Sequence, residues 1–154
     1  MGRGTGADEG NRRPGANPLT DDPAEIGLLD TSVLIAAEEG RTLRAEALPK
    51  SAAISIVTVG ELRAGILAAP DIQSRDRRLY TLERISGTAI LSVDHTVAQT
   101  WAGMRAYLAA SGERVSGNDL WIAATAAANG MPVITQDRDF YALSGVNGLT
   151  VTPV

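Results

Sequence analysis

Short, mainly apolar runs that end at an acidic residue constrain the fold of this chain more than any other feature. IGLL (26–29) leads into Asp30, and PVITQ (132–136) leads into Asp137. Short apolar runs of this kind are typical of strands buried on both faces, as in a parallel sheet. A charge at the end of such a strand is costly to desolvate unless it is paired, hydrated or bound to a cation.

Strand and helix patterns alternate from residue 26 onward. The sequence predicts strands at 26–30, 52–57, 88–93, 132–136 and 149–154, and helices at 32–39, 58–69, 71–86, 94–110 and 118–130. Asp71 and Asp94 are the expected N-caps of the third and fourth helices, and Gly112 is the expected end of the fourth. Alternation of this kind predicts an α/β sandwich around a mostly parallel sheet.

Composition limits the domain count and the classes of function. Residues 1–25 are rich in Gly, Pro, Asp and Arg, which predicts a disordered tail before a single domain at 26–154. No run approaches the roughly 20 apolar residues of a membrane span. The chain has no cysteine, which excludes disulfides, thiolate metal sites and a cysteine nucleophile and favours a cytoplasmic location.

Acidic residues near the carboxyl ends of the predicted strands are the candidate site residues. They are Asp30, Glu61, Asp119, Asp137 and Asp139. Each also has a purely structural explanation. Asp30 and Asp119 suit helix starts, Thr58-Val59-Gly60-Glu61 matches the S/T-x-x-E capping box, and the last two flank Arg138 in a polar turn. Because ligands bind at the carboxyl ends of parallel strands, we expect these acids to share one edge of the sheet.

Clustered carboxylates repel one another unless a cation neutralises them. Mg²⁺ or Mn²⁺ suits an all-oxygen set of ligands, and such ions activate water and stabilise the leaving oxygen of a phosphodiester. No other catalyst is evident, because His95, the only histidine, follows a helix cap and is expected at the surface. The hydroxyls of Thr31, Ser32 and Ser116 have no base near them in the sequence.

The charge balance permits a polyanionic partner. The net charge is −4, and residues 26–154 hold 11 basic and 13 acidic residues. If the five candidate acids form one cation site, eight acids remain against the 11 basic residues, which is +3 for the rest of the domain. The candidates for phosphate contacts are Arg75, Arg77 and Arg78. The alternative is a solvated helix face on which acids such as Asp76 and Glu83 are interspersed with these arginines.

Four sequence blocks carry a resemblance to a known family. They are LLDTSVLIA (28–36), VTVGELRAGI (57–66), GNDLWIAATA (117–126) and VITQDRDF (133–140). In this order they resemble the PIN-domain ribonucleases, and particularly the VapC-like toxins of bacterial type II toxin–antitoxin pairs. The resemblance covers residues 26–154. It implies a PIN-like three-layer sandwich of about five strands and a Mg²⁺-dependent endoribonuclease, usually dimeric and inhibited by a VapB-like antitoxin.

The resemblance also assigns roles to residues. It implies that the first three acids of the family correspond to Asp30, Glu61 and Asp119. The fourth corresponds to Asp137, with Asp139 as the alternative. The hydroxyls of Thr31 and Thr135 match positions that support the metal ligands.

Two other classes of function stay open at this point. An aspartyl-phosphate phosphatase would use Asp30 as its nucleophile, but that chemistry usually has a second acid two residues later, where this chain has Ser32. A noncatalytic binding module would use the acids only to cap helices. Tyr80 and Trp101 are expected to be packed or interfacial, and Trp121 to lie beside the site or against the core.

Overall fold

A computed structural model describes residues 24–154. A five-stranded sheet forms its centre, with the order β3-β2-β1-β4-β5 and every neighbouring pair parallel. The strands are β1 (Ile26–Leu29), β2 (Ser51–Ser55), β3 (Ala89–Leu91), β4 (Val133–Thr135) and β5 (Val151–Pro153). The predicted α/β architecture is confirmed, with a sheet that is wholly parallel.

Five α-helices connect and cover the strands. They are α1 (Thr31–Glu38), α2 (Ile56–Leu67), α3 (Ile72–Arg84), α4 (His95–Ser111) and α5 (Gly117–Ala128). Short 3₁₀ helices lie at Ala45–Ala47, Arg138–Leu143 and Val146–Gly148. None of the helices between residues 24 and 154 combines the length and the apolar character that crossing a bilayer requires.

Successive residues of each inner strand pack on opposite faces of the sheet, as the period of two requires. Leu28, Ala53 and Val133 belong to the larger core cluster, which includes residues from α4 and α5. Ile54 packs with side chains of α1, α2 and the end of α3 in a second cluster. Ile134 packs with Val33 and the C-terminal residue in a third. The fold is therefore three layers, with the sheet between two helical layers.

Helix ends confirm some predicted caps and overturn one. Asp71 and Asp94 accept hydrogen bonds from backbone N–H groups in the first turns of α3 and α4, and Gly112 ends α4 with a φ of 75°. The structural alternative for Glu61, a capping box with Thr58, is wrong. Ser55, the last residue of β2, caps α2 by accepting from the N–H of Val57, so the helix begins two residues earlier.

The predicted tail at 1–25 lies outside the described residues except for its last two positions. The carbonyls of Ala24 and Glu25 accept hydrogen bonds from the N–H groups of Lys50 and Ser51, at 3.1 and 2.9 Å. These bonds continue the pairing of β1 with β2 towards the N-terminus.

Candidate metal and active site

Asp30 is a buried carboxylate at the carboxyl end of the central strand β1. Its side chain is 2% exposed. The Oδ2 atom accepts hydrogen bonds from the Ser32 N–H at 3.3 Å, the Ser32 hydroxyl at 2.6 Å and the Thr135 hydroxyl at 2.9 Å. Burial raises the pKa of Asp30, and the hydrogen bonds from Ser32 and Thr135 offset part of that rise. Asp30 is also the N-cap of α1, so the capping role expected from the sequence is confirmed. Capping alone does not require burial, which disfavours the charged form of this carboxylate.

Glu61 lies in the second turn of α2, and both of its carboxylate oxygens are held by neutral donors. The Thr31 hydroxyl donates to Oε2, and the Asn118 amide donates to Oε1 at 3.0 Å. Thr31 is the first residue of α1 and Asn118 is in the first turn of α5. Glu61 therefore links α2 to the starts of α1 and α5.

Asp119 lies in the first turn of α5, where the helix dipole favours an anion. The Ser116 hydroxyl donates to Oδ2 at 2.6 Å and accepts the Asp119 N–H at 3.1 Å. The pKa of Asp119 is raised to about 6, and burial is the largest cause. The Ser116 hydrogen bond lowers this pKa, whereas the negative charges of Asp30, Asp137 and Glu61 raise it further. Asp119 thus interacts electrostatically with the three other principal candidates.

Asp137 and Asp139 follow β4 but occupy different environments. Asp137 is half-buried, its N–H donates to the Thr135 hydroxyl at 2.8 Å, and its Oδ1 accepts the Asp139 N–H at 2.9 Å. Asp139 is exposed in the following 3₁₀ helix and is not among the charges that shift the pKa of Asp119. Asp137 is therefore the one grouped with the other acids.

The acids are close enough to influence one another electrostatically, but they do not form a ready-made cage. Among residues 24–154, no three side chains of Asp, Glu or His are gathered closely enough to hold a metal ion as they stand.

The two predicted supporting threonines lie at the site, together with three polar residues whose contacts to the acids were not predicted. Thr31 binds Glu61, and Thr135 binds Asp30 while receiving the N–H of Asp137. The unpredicted contacts are made by Ser32, Ser116 and Asn118. A Ser-x-x-Asp pattern at 116–119 signals one of them, as a variant of the capping box. The Asn118–Glu61 contact spans 57 residues and has no local signal.

The predicted arginines lie on α3 and are held to different degrees. Arg78 is half-buried and donates to the Gly65 carbonyl, Arg77 donates to the Ser74 hydroxyl at 3.1 Å, and Arg75 is exposed. In the part of the chain that the structure describes, no salt bridge joins these arginines to an acid.

The aromatic predictions are partly confirmed. Trp101 and Trp121 stack with ring centroids 4.7 Å apart and pack against the larger core. Tyr80 is 62% exposed, with Arg84 over its ring, so it is not packed in the core, and an interfacial role stays a prediction. His95 is exposed, as expected.

Comparisons with known proteins place this arrangement in a family. The PIN domain profile matches residues 27–146. The chain is 49% identical to ribonuclease VapC5 of Mycobacterium tuberculosis over 128 residues, covering 83% of this chain and 95% of the relative. This chain belongs to the PIN-domain family, in its VapC ribonuclease group.

Other members of the VapC group show the same relationship. Ribonuclease VapC4 of Mycobacterium tuberculosis is 39% identical over 124 residues, which cover 80% of this chain and 95% of the relative. The structure superposes on a chain of VapBC-5, a Mycobacterium tuberculosis member of the VapBC toxin–antitoxin family, with a TM-score of 0.79. That match has 46% identity and covers 84% of this chain and 99% of the other. A DNA-bound VapBC from Salmonella typhimurium gives a TM-score of 0.68 at 26% identity, covering 84% and 98%. The predicted family and PIN-like fold are confirmed.

Proposed function

We propose that this chain is a Mg²⁺-dependent endoribonuclease and the toxic component of a type II toxin–antitoxin pair. Its relatives are named ribonucleases, and its structural neighbours are toxin–antitoxin complexes. Membership of the PIN family favours this activity over the phosphatase and binding-module alternatives. The acids that we assign to metal binding and catalysis are Asp30, Glu61, Asp119 and Asp137.

The observation that supports this assignment most strongly is that hydrogen bonds through Thr135, Thr31 and Asn118 join the segments that carry the four acids. Burial and three nearby carboxylates together raise the pKa of Asp119 to about 6, in agreement with this grouping. A domain has no structural need for four acids at one sheet edge, because each like charge destabilises the others. A bound cation would neutralise this repulsion, so a metal-binding role explains why the four acids lie together.

The donor chemistry fits Mg²⁺, with Mn²⁺ as a substitute. The four acids offer only oxygen ligands. The chain has no cysteine, and its only histidine, His95, is the first residue of α4 and is not on the elements that carry the acids. Hard divalent cations prefer such sets. Asp30, Asp119, Asp137 and Glu61 would hold the ion. When bound, it supplies a water molecule activated for attack on a phosphodiester and neutralises charge on the leaving oxygen.

The residues around the acids orient them for this task. Ser32 and Thr135 fix Oδ2 of Asp30 by three hydrogen bonds, so this carboxylate is held in one orientation. Thr31 and Asn118 orient Glu61 in the same way. A pKa of about 6 means that a proton and a cation compete for Asp119 close to neutral pH. Cleavage should therefore weaken as the pH falls towards 6.

The proposed partners are RNA, a VapB-like antitoxin and a second copy of the chain. RNA phosphates would contact the exposed cationic face of α3, where Arg75 and Arg77 make no ion pairs with acids of the described chain. The antitoxin is inferred from the neighbouring VapBC complexes. The homodimer is inferred from the family, and the proposed location is the cytoplasm.

The test is cleavage mapping on total cellular RNA with and without Mg²⁺. We expect defined cleavage positions with the parent protein and Mg²⁺, and none in EDTA or with Asp119→Asn. Glu113→Gln removes an exposed acid outside the site and outside α3, and is the matched control, which should cleave as the parent does. Equal cleavage by the parent and Asp119→Asn would contradict the proposal.

A further inference from the structure

An open cleft of about 490 Å³ lies directly beside Glu61, between α2 and the start of α5. Its lining residues are Val57, Gly60, Glu61, Ala64 and Asn118. Glu61 belongs to α2 and Asn118 to α5, and a hydrogen bond of 3.0 Å joins their side chains. The volume is within the range of about 300–1,000 Å³ that is usual for small-ligand sites.

Gly60 keeps this cleft open without serving the fold. It lies in the interior of α2, where glycine stabilises a helix less than alanine does. Its φ is not positive, and a Cβ atom added to it would meet no atom within 4 Å. Gly65, in the same helix, would also accept a Cβ, which would lie at an ordinary contact distance of 3.9 Å from Cδ of Arg78, but it does not line the cleft. The packing of the described residues therefore gives no reason for glycine at position 60.

The chemistry of the cleft suits an uncharged, partly polar group. Glu61 repels a phosphate, whereas Val57 and Ala64 offer apolar surface. Asn118 is exposed and uses one amide hydrogen on Glu61, so its second amide hydrogen and its oxygen are available to a ligand. A nucleobase edge pairs with this combination of donor and acceptor, as single-stranded RNA does with side-chain amides.

We propose that the cleft binds the base and ribose of one RNA nucleotide adjacent to the cleaved phosphodiester. The proposal rests on the proposed ribonuclease function and adds a specificity subsite to it. Glu61 belongs both to the proposed metal site and to the wall of the cleft, so a nucleotide seated there places its neighbouring phosphate beside the acids. Gly60 and Ala64 provide the space, and Asn118 contacts the base.

The test compares substitutions inside and outside the cleft. Ala64→Leu fills it, and Ala68→Leu adds the same side chain one turn later, at an exposed position outside the lining. Gly60→Ala and Gly65→Ala form a second matched pair, and both should raise the melting temperature slightly because alanine is the better helix former. The gain in melting temperature on adding Mn²⁺ should be the same in all four variants and the parent, because no proposed metal ligand is changed.

The readout is kcat/KM on a short single-stranded RNA that contains a mapped cleavage site. We expect Ala64→Leu to lower kcat/KM by about tenfold or more, since small misplacements at an active site are this costly. Ala68→Leu and Gly65→Ala should stay within about twofold of the parent, and Gly60→Ala should fall between these and Ala64→Leu.

A scan of abasic substitutions identifies the bound nucleotide. Each position next to the cleaved bond loses its base in turn. In the parent, one position should lower kcat/KM sharply, and the same abasic RNA should cause little further loss in Ala64→Leu, because base and leucine compete for one space. If Ala64→Leu behaves like Ala68→Leu, or responds to abasic positions as the parent does, the subsite is refuted while the nuclease stands. If the parent cleaves no RNA with Mg²⁺, both proposals fall.

Discussion

Replacing Asp119 with asparagine should stabilise the metal-free protein, although it removes a proposed catalytic residue. The asparagine side chain has nearly the same shape as that of aspartate, and its oxygen can still accept the hydrogen bond from Ser116. The substitution removes the negative charge that Asp30, Asp137 and Glu61 repel. A residue that exists for function should cost stability in this way, whereas a structural helix cap should not.

The magnitude follows from the pKa. A rise from 3.8 to about 6 corresponds to about 3 kcal/mol, because each pKa unit is worth about 1.36 kcal/mol. Asp119 is only half-buried, so solvent screening reduces this to about 1.5 kcal/mol. Asparagine also forfeits about 0.3–1 kcal/mol of favourable interaction with the α5 dipole. We therefore expect a net gain of about 0.5–1 kcal/mol at pH 7.

The stability gain of Asp119→Asn should depend on pH in a characteristic way. A carboxyl group with a higher pKa in the folded state than in the unfolded state binds more protons when folded, so stability falls as the pH rises from about 4 through 6. The asparagine variant lacks this contribution. The difference between variant and parent should be smallest near pH 4 and largest above pH 7. Urea unfolding in EDTA at several pH values measures it.

A matched control separates this effect from a general loss of negative charge. Asp139→Asn removes an acid that is exposed and does not shift the pKa of Asp119. It should leave the pH dependence of stability as it is in the parent. If Asp119→Asn loses about 0.5–2 kcal/mol at every pH, as the loss of a helix cap does, the electrostatic reasoning is refuted.

Three further predictions concern the surroundings of the site. Thr135→Val removes the hydroxyl that donates to Asp30 and accepts from a backbone N–H, so urea unfolding should show a loss of about 1–3 kcal/mol, whereas valine at exposed Thr150 should cost little. The combined variant Arg75→Ala, Arg77→Ala and Arg78→Ala should weaken RNA binding and make the affinity less dependent on salt concentration. An unchanged salt dependence would favour the alternative that this face of α3 is only solvated. Deleting residues 1–24 should leave the melting temperature and metal-dependent cleavage nearly unchanged, and a loss of several degrees would show that the tail contributes to the domain.

The sequence predicted the fold well because its local signals agree with one another. Each strand is a short apolar run, and Asp71, Asp94 and Gly112 mark helix ends by chemistry that the structure reproduces. The start of α2 was predicted two residues late. The β-branched pair Ile56-Val57 resembles the end of a strand, but Ser55 already caps the helix.

The candidate acids were predictable from their positions after strands, whereas their partners were not. Asp30 and Asp137 stand at strand ends, and parallel pairing brings those ends together. The contacts of Ser32 with Thr135 and of Asn118 with Glu61 join residues 103 and 57 positions apart. Such contacts depend on side-chain positions in the folded state, and no local pattern encodes them. The sequence left Tyr80 as either packed or interfacial for a related reason, because helical spacing alone does not reveal which face lacks a neighbour.

The most direct test of the shared metal site is the shift in melting temperature when Mn²⁺ is added to chelated protein. The parent should gain stability, because binding to the native state at 100 times the dissociation constant is worth about 2.7 kcal/mol. Four variants that each remove the charge of one site carboxylate should gain much less: Asp30→Asn, Glu61→Gln, Asp119→Asn and Asp137→Asn. The control Asp76→Asn, which removes a carboxylate charge outside the site, should gain as much as the parent. Equal shifts in the parent and all four site variants would contradict the metal site and the nuclease mechanism built on it.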